Sequence, residues 1–139
     1  MLRKLASVCI AVNDVQEAVD LYCKMFDLQL MKPVYESREY GFRSAWVGNG
    51  QDAFIELLEP TDPSSAVGRF LESRGEGVYL VEFDVDDLGE AVSHVRANGG
   101  RVTGIPEGED PGPETHGVWV HPATTRGVFI GIHPPSADE

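Results

Sequence analysis

The sequence predicts an α+β fold made of two tandem βαβββ modules, and three observations predict it. Val12-Asn13-Asp14-Val15-Gln16-Glu17-Ala18-Val19 recurs 73 residues later as Val85-Asp86-Asp87-Leu88-Gly89-Glu90-Ala91-Val92, with five of eight positions identical. Each copy follows an apolar run, Val8-Cys9-Ile10-Ala11 or Leu80-Val81-Glu82-Phe83, and opens a helical pattern. A strand running into a capped helix has therefore been duplicated. The closing strands repeat as well: Phe54-Ile55-Glu56-Leu57 matches Phe129-Ile130-Gly131-Ile132 at an offset of 75.

The elements follow in order. Leu5 to Val12 reads as a strand, and Asn13 or Asp14 caps the helix after it, with Glu17 at the capping-box position. Ala18, Leu21, Tyr22 and Met25 set one apolar stripe on that helix, which should end near Phe26-Asp27. Leu28 to Tyr35 reads as a strand, at an edge because of Pro33, and Glu36 to Glu39 as a polar turn. Tyr40 to Val47 and Ala53 to Leu58 are strands joined by the hairpin turn Gly48 to Gln51.

Glu59 to Ser65 leads into a linker helix of about Ser65 to Arg74, ended by Gly75-Glu76-Gly77. Val78 to Val85 opens the second module as a strand. A helix over Asp87 to Asn98 follows, stopped by Gly99-Gly100. Arg101 to Ile105 is read as a strand and Pro106 to Glu114 as a long loop without a core pattern. Val118 to Val120 and Val128 to Ile132 are the last strands, and the polar tail Pro134 to Glu139 is loose. The whole, residues 1–139, reads as a single domain: module one about 5–59, linker about 60–76, module two about 77–133.

Composition narrows the function classes. Twenty-three acids against eleven bases give a net charge of −12, so nucleic acid is a poor partner: phosphate neutralisation needs a basic footprint. The acidity serves solubility or draws in a cationic ligand. Cys9 and Cys23 lack metal-type spacing and read as reduced buried thiols. The amino terminus lacks the apolar segment of a signal peptide, and no run approaches the ~20 apolar residues of a membrane span. The expected location is the cytoplasm.

Several segments in order carry a family resemblance. They are Ile10-Ala11-Val12-Asn13-Asp14, Ile55-Glu56-Leu57-Leu58-Glu59-Pro60, Phe70 to Gly77, Phe83-Asp84-Val85-Asp86-Asp87, and His121-Pro122 with Thr125-Arg126-Gly127-Val128. Together they resemble the vicinal oxygen chelate superfamily (glyoxalase, bleomycin resistance, dioxygenase), and within it most nearly the methylmalonyl-CoA epimerases. That resemblance implies modules curling into a half-open barrel, a homodimer, and a cavity that commonly holds a divalent metal. The metal is bound by two first-strand and two last-strand side chains, His at the former and Gln or Glu at the latter in epimerase-like members.

Aligned through the internal repeat, those four positions are Ser7, Glu56, Leu80 and Gly131. Only Glu56 is a good ligand; leucine and glycine offer no donor and a serine hydroxyl is weak. The expectation is no metal cofactor. Alternation puts Cys9, Glu82 and His133 on the same strand faces two residues further on, but a shift of about 6–7 Å along each strand is not expected to re-form one centre. His94 reads as solvent-facing, and His116 and His121 as strand-flanking, His121-Pro122 fitting a structural turn.

Without a metal, the carboxylates carry the chemistry. Glu56, centred in an apolar strand, should project into the cavity, where desolvation raises a carboxylate pKa and suits proton transfer. Its bland alternative is a relic carboxylate paired with Arg43 or Arg101. Glu39, in Glu39-Tyr40-Gly41-Phe42, resembles the epimerases' acid/base glutamate; otherwise it is an exposed turn residue. Ser7, Arg43, Trp46, Leu80, Trp119, Phe129 and Gly131 complete the expected cavity, and Tyr40, Tyr79, Trp46 and Arg43 are donors by type for an enolate oxygen. The expected function is a metal-independent or altered-metal isomerase, epimerase or lyase acting beside a carbonyl, on a carboxylate or CoA thioester. The alternative is a metal-free sequestering protein of the bleomycin-resistance kind.

Overall fold

The computed structural model describes residues 1–135 of the chain; residues 136–139, part of the tail read as loose, lie outside the described residues. The chain divides into two compact units, Ser7–Tyr79 and Met1–Ala6 together with the chain from Leu80 onward. The class is α+β, with three α-helices among the described residues.

In the Ser7–Tyr79 unit the strands are β1 (Leu2–Ala11, of which the first residues belong to the other unit), β2 (Gln29–Leu30), β3 (Tyr35–Ser37), β4 (Phe42–Gly48) and β5 (Ala53–Pro60). They are ordered β2-β4-β5-β1, with β3 also on β4. Helix α1 (Val15–Phe26) starts because the Asp14 carboxylate accepts from Glu17 N at 2.9 Å, and it stops at Asp27, which turns left-handed at φ 55°. Its Val15, Ala18 and Val19 pack with Val12, Ala45, Val47 and Leu57 into one core. Linker helix α2 (Ala66–Arg74) is capped by the Ser65 hydroxyl.

The second unit holds β6 (Gly77–Val85, of which the first three residues belong to the other unit), α3 (Leu88–Ala97), β7 (Val102–Thr103), β8 (Val118–Val120), a 3-10 turn (Pro122–Thr124) and β9 (Ile130–His133), with sheet order β6-β9-β8-β7. Asp87 caps α3 as Asp14 caps α1, accepting from Glu90 N at 2.8 Å. Val85, Leu88, Ala91, Val92, Val118 and Ile132 form its core.

The duplication extends to strand register. In the first unit β1 and β5 run parallel with Val8↔Ile55, Cys9↔Glu56 and Ile10↔Leu57. In the second, β6 and β9 run parallel with Val81↔Ile130, Glu82↔Gly131 and Phe83↔Ile132. Every pair is the image of its counterpart at the offsets of 73 and 75.

Three strand expectations are corrected. Leu28 to Tyr35 is not one strand: Pro33 has no N–H to donate, so pairing breaks between β2 and β3. The turn expected at Glu36 to Glu39 starts later, because Tyr35–Ser37 pairs with β4 and Gly41, at φ 69°, closes the loop onto Ser37 O. Arg101 to Ile105 shrinks to Val102–Thr103, since Gly104 turns the chain at φ 96° against the Trp119 ring.

Candidate functional site

Alternation on β4 and β5 sorts the side chains of the first unit onto two faces. Ala45, Val47 and Leu57 point into the core shared with α1. Phe42, Ser44, Trp46 and Glu56 point the other way and floor a cavity of about 790 Å³, in the range of small-molecule sites. Lys32, Pro33 and the segment Tyr35–Tyr40 surround it. Tyr40 stacks on Phe42 with centroids 6.2 Å apart, making one wall aromatic.

Glu56 is half-buried, and its two oxygens accept from different donors. The Cys9 thiol lies 3.2 Å from Oε1, and the Ser44 hydroxyl 2.9 Å from Oε2. Both donors are buried, Cys9 fully. The bland pairing with Arg43 is not observed: Arg43 is bonded to Glu59 at 2.6 Å and lies 3.7 Å from Glu36. Glu59 also accepts from Val15 N at 3.0 Å, so that arginine belongs to the helix-start network and does not line the cavity.

Of the sequence-predicted residues, Glu39, Tyr40, Trp46 and Glu56 line this one cavity. Glu39 is exposed on the turn after β3. Ser7 is buried on β1, two residues before Cys9. In the second unit Leu80 is buried on β6, and Phe129 lies just before β9 with its carbonyl accepting from Val81 N at 3.1 Å. Trp119 on β8 stands opposite Gly131. Sequence reasoning missed Lys32, Arg38 and Ser44 on the cavity. For Ser44 the signal was a small polar residue in phase with Phe42 and Trp46.

Cys23 is half-exposed, unlike the buried thiol expected, because it faces the rim of the α1 stripe and only packs against the core edge. His94 and His116 are exposed, and His121 Nδ1 accepts from Ala123 N at 3.0 Å as the cap of the 3-10 turn. Tyr79 is pushed above the usual phenol range, chiefly by burial and further by nearby Cys9, with Arg69 opposing.

These features have counterparts among known proteins. The profile of the Glyoxalase/Bleomycin resistance protein/Dioxygenase superfamily matches residues 4–127. The chain belongs to that superfamily. It is 32% identical over 137 residues to the mitochondrial methylmalonyl-CoA epimerase of Dictyostelium discoideum, covering 94% of this chain and 78% of that protein. It resembles the crystal structure of methylmalonyl-CoA epimerase from Mycobacterium tuberculosis with TM-score 0.83 and 27% identity, over 99% of this chain and 91% of the other. A variant of the Streptomyces coelicolor epimerase in complex with 2-nitronate-propionyl-CoA gives TM-score 0.83 and 26% identity, over 99% and 97%. Among the described residues, no helix is long and apolar enough to cross a membrane.

Superfamily membership brings a metal into question, and of the four positions that the resemblance implies only Glu56 carries a strong donor. Ser7, Leu80 and Gly131 stand at the other three implied positions, and the space a side chain at Gly131 would enter is held by Glu82 and Trp119. Donors stand two residues away instead. In one unit Cys9 faces Glu56; in the other Glu82 Oε2 lies 3.8 Å from His133 Nε2. Thiolate, carboxylate and imidazole are ligand types for divalent cations, and each unit offers such a pair. Of the donors displaced by two residues, Cys9 meets the retained Glu56. Because β1 and β5 run parallel, the ladder sets Cys9 directly across from Glu56.

Proposed function

We propose that the chain is an epimerase that moves the proton on the carbon between a thioester carbonyl and a second carboxyl group, with an acyl-CoA as substrate. The observation that carries the reading is the Glu56 carboxylate on the floor of a substrate-sized cavity, in a chain whose relatives are methylmalonyl-CoA epimerases. The thioester carbonyl acidifies the α-carbon; Glu56 takes its proton, and the resulting enolate is reprotonated on the other face. Glu39, on the same cavity, is the proposed second acid/base. Trp46 and Tyr40 bring an N–H and an O–H to the cavity as donors for the enolate oxygen, the role a metal plays elsewhere. Chemistry without a metal at the inherited positions is part of this proposal, supported by the loss of Ser7, Leu80 and Gly131 as strong ligands.

Lys32 and Arg38 support an anionic substrate. Both stand at the cavity, and neither has an ion pair among the described residues, in a chain whose net charge is −12. We also propose a single-domain homodimer acting in the cytoplasm; Cys9 and Cys23, neither of them in a disulfide, suit a reducing compartment. Light scattering showing only a 15.2 kDa species would remove the dimer.

Deuterium wash-in at the α-carbon of methylmalonyl-CoA tests the reading. The wild type is expected to exchange the proton, and Glu56→Gln to lose the exchange by roughly 10²–10⁴-fold, the usual worth of a positioned acid/base. Elemental analysis of protein purified without chelator is expected to find no stoichiometric metal. Absence of exchange with every acyl-CoA tried, with tight binding of aromatic cations instead, would favour the sequestering function.

A further inference from the structure

We infer that Cys9 and Ser44 are positioning residues that fix the orientation of the Glu56 carboxylate. The inference deepens the proposed function, since it rests on Glu56 as the proton-transfer group. It starts from the ladder. Cys9 stands opposite Glu56 in the β1–β5 pair, and Trp46 stands opposite Glu56 in the β4–β5 pair. Ser44 is two residues from Trp46 on β4 and therefore shares the face of Glu56. A carboxylate in the middle of the sheet is thus flanked by a donor on each neighbouring strand.

The geometry divides the two oxygens between them. Oε1 takes the Cys9 thiol at 3.2 Å and Oε2 takes the Ser44 hydroxyl at 2.9 Å. A glutamate has three rotatable side-chain bonds, and one bond to each oxygen removes the freedom to spin the carboxylate plane. Orientation of this kind is what proton abstraction needs, because a small displacement of a base is costly in rate. Cys9 and Ser44 are 0% and 3% exposed, so water does not compete for either donor.

The two bonds give a buried cysteine a role other than nucleophile, redox centre or filler, and give the buried Ser44 hydroxyl a partner.

The test uses the full chain with Cys9→Ala, Cys9→Ser and Ser44→Ala, each checked for folding by thermal melting. Two readouts are taken. The carboxylate stretching bands of Glu56, isolated as the infrared difference between each protein and its Glu56→Gln counterpart, are expected to shift in Cys9→Ala and in Ser44→Ala. The α-proton exchange is expected to fall about 10-fold in kcat with KM unchanged, while Cys9→Ser, which keeps an O–H donor, retains most of it. Unshifted bands in both alanine variants overturn the inference, whatever the rates do. So does a fall in kcat that Cys9→Ser fails to recover. If no thioester is exchanged by the wild type, the proposed function fails but the infrared bands still decide the positioning. If Cys9→Ala does not fold, Cys9→Ser and Ser44→Ala supply the same comparison.

Discussion

Glu82 and Gly131 stand directly across from each other in the β6–β9 ladder, at the places occupied by Cys9 and Glu56 in the other unit. The carboxylate has changed strands: it sits on the last strand in one unit and on the first in the other. Glycine makes this fit. A Cβ at Gly131 would lie 3.2 Å from Glu82 Cγ and 3.5 Å from both Glu82 Oε1 and Trp119 Cδ1. Gly131→Ala presses only on the middle of a flexible side chain and is expected to cost no more than about 1 kcal/mol. Gly131→Glu sets two carboxylates against each other and is expected to cost about 2–3 kcal/mol. Adding Glu82→Gly should recover part of that loss, with a coupling on the order of 1–2 kcal/mol by urea unfolding. Strict additivity of the two changes would show that the pair is not coupled.

Gly48 presents the opposite case, a glycine whose neighbour is backbone. It ends β4 at a register shift, and a Cβ there would fall 1.8 Å from the Asp52 carbonyl oxygen. Nothing short of moving the hairpin relieves that clash. Gly48→Ala is expected to lower stability by about 3 kcal/mol, and the same substitution at Gly99, where a Cβ meets nothing within 4 Å but φ is 89°, by about 1 kcal/mol. Equal unfolding midpoints for the two variants would contradict this ranking.

The contrast shows what was legible in the sequence. The repeat Val12 to Val19 and Val85 to Val92 revealed both modules and both caps, because capping and apolar period are local properties. The breaks at Pro33 and Gly104 shortened strands that an apolar pattern alone extends, since hydrogen-bond pairing and φ are not written in hydropathy. Glu56 was found as the one surviving ligand-type residue. Its partners Cys9 and Ser44 were not, because strand register is a tertiary quantity: a two-residue displacement along a single strand says nothing about which residue stands opposite.

Asp84 is a buried charge, 1% exposed, and Arg3 answers it with two bonds, Nε to Oδ1 at 3.1 Å and Nη2 to Oδ2 at 3.2 Å. Removing the arginine leaves a carboxylate inside the protein. The Arg3 side chain is 38% exposed, which moderates the cost, so Arg3→Ala is expected to lose about 2–3 kcal/mol. Arg3→Ala combined with Asp84→Asn should lose less, because the stranded group no longer carries charge. Chemical denaturation of the two variants settles the order, and a double variant weaker than the single one would refute it.

Lys32 and Arg38 are expected to act through binding and not through chemistry. The double change to alanine should raise KM for a CoA thioester about 3- to 10-fold with kcat unchanged, consistent with two solvent-exposed charges. Raising the salt concentration should shrink the difference, since exposed charges are screened. A truncated thioester without the nucleotide phosphates should be handled alike by both proteins. An equal rise in KM for the truncated compound would place the two side chains near the acyl group instead.

Tyr79 makes stability fall with rising pH on the alkaline side. Burial raises its phenol above the ordinary value of 10.0, with Cys9 adding and Arg69 subtracting, and its ring meets Phe70 edge-on at 5.2 Å. In the unfolded chain this tyrosine ionises near its ordinary value, while the folded chain still holds the proton. Unfolded chains therefore bind fewer protons in that interval, and stability falls as pH rises. The contribution is complete below about pH 10 and is lost between the unfolded and the raised folded pKa. Tyr79→Phe should flatten that alkaline slope while leaving the slope at neutral pH alone. In ultraviolet titration the last of the four tyrosines to form phenolate should disappear with the same substitution. An unchanged late phenolate in Tyr79→Phe would assign the shifted group elsewhere.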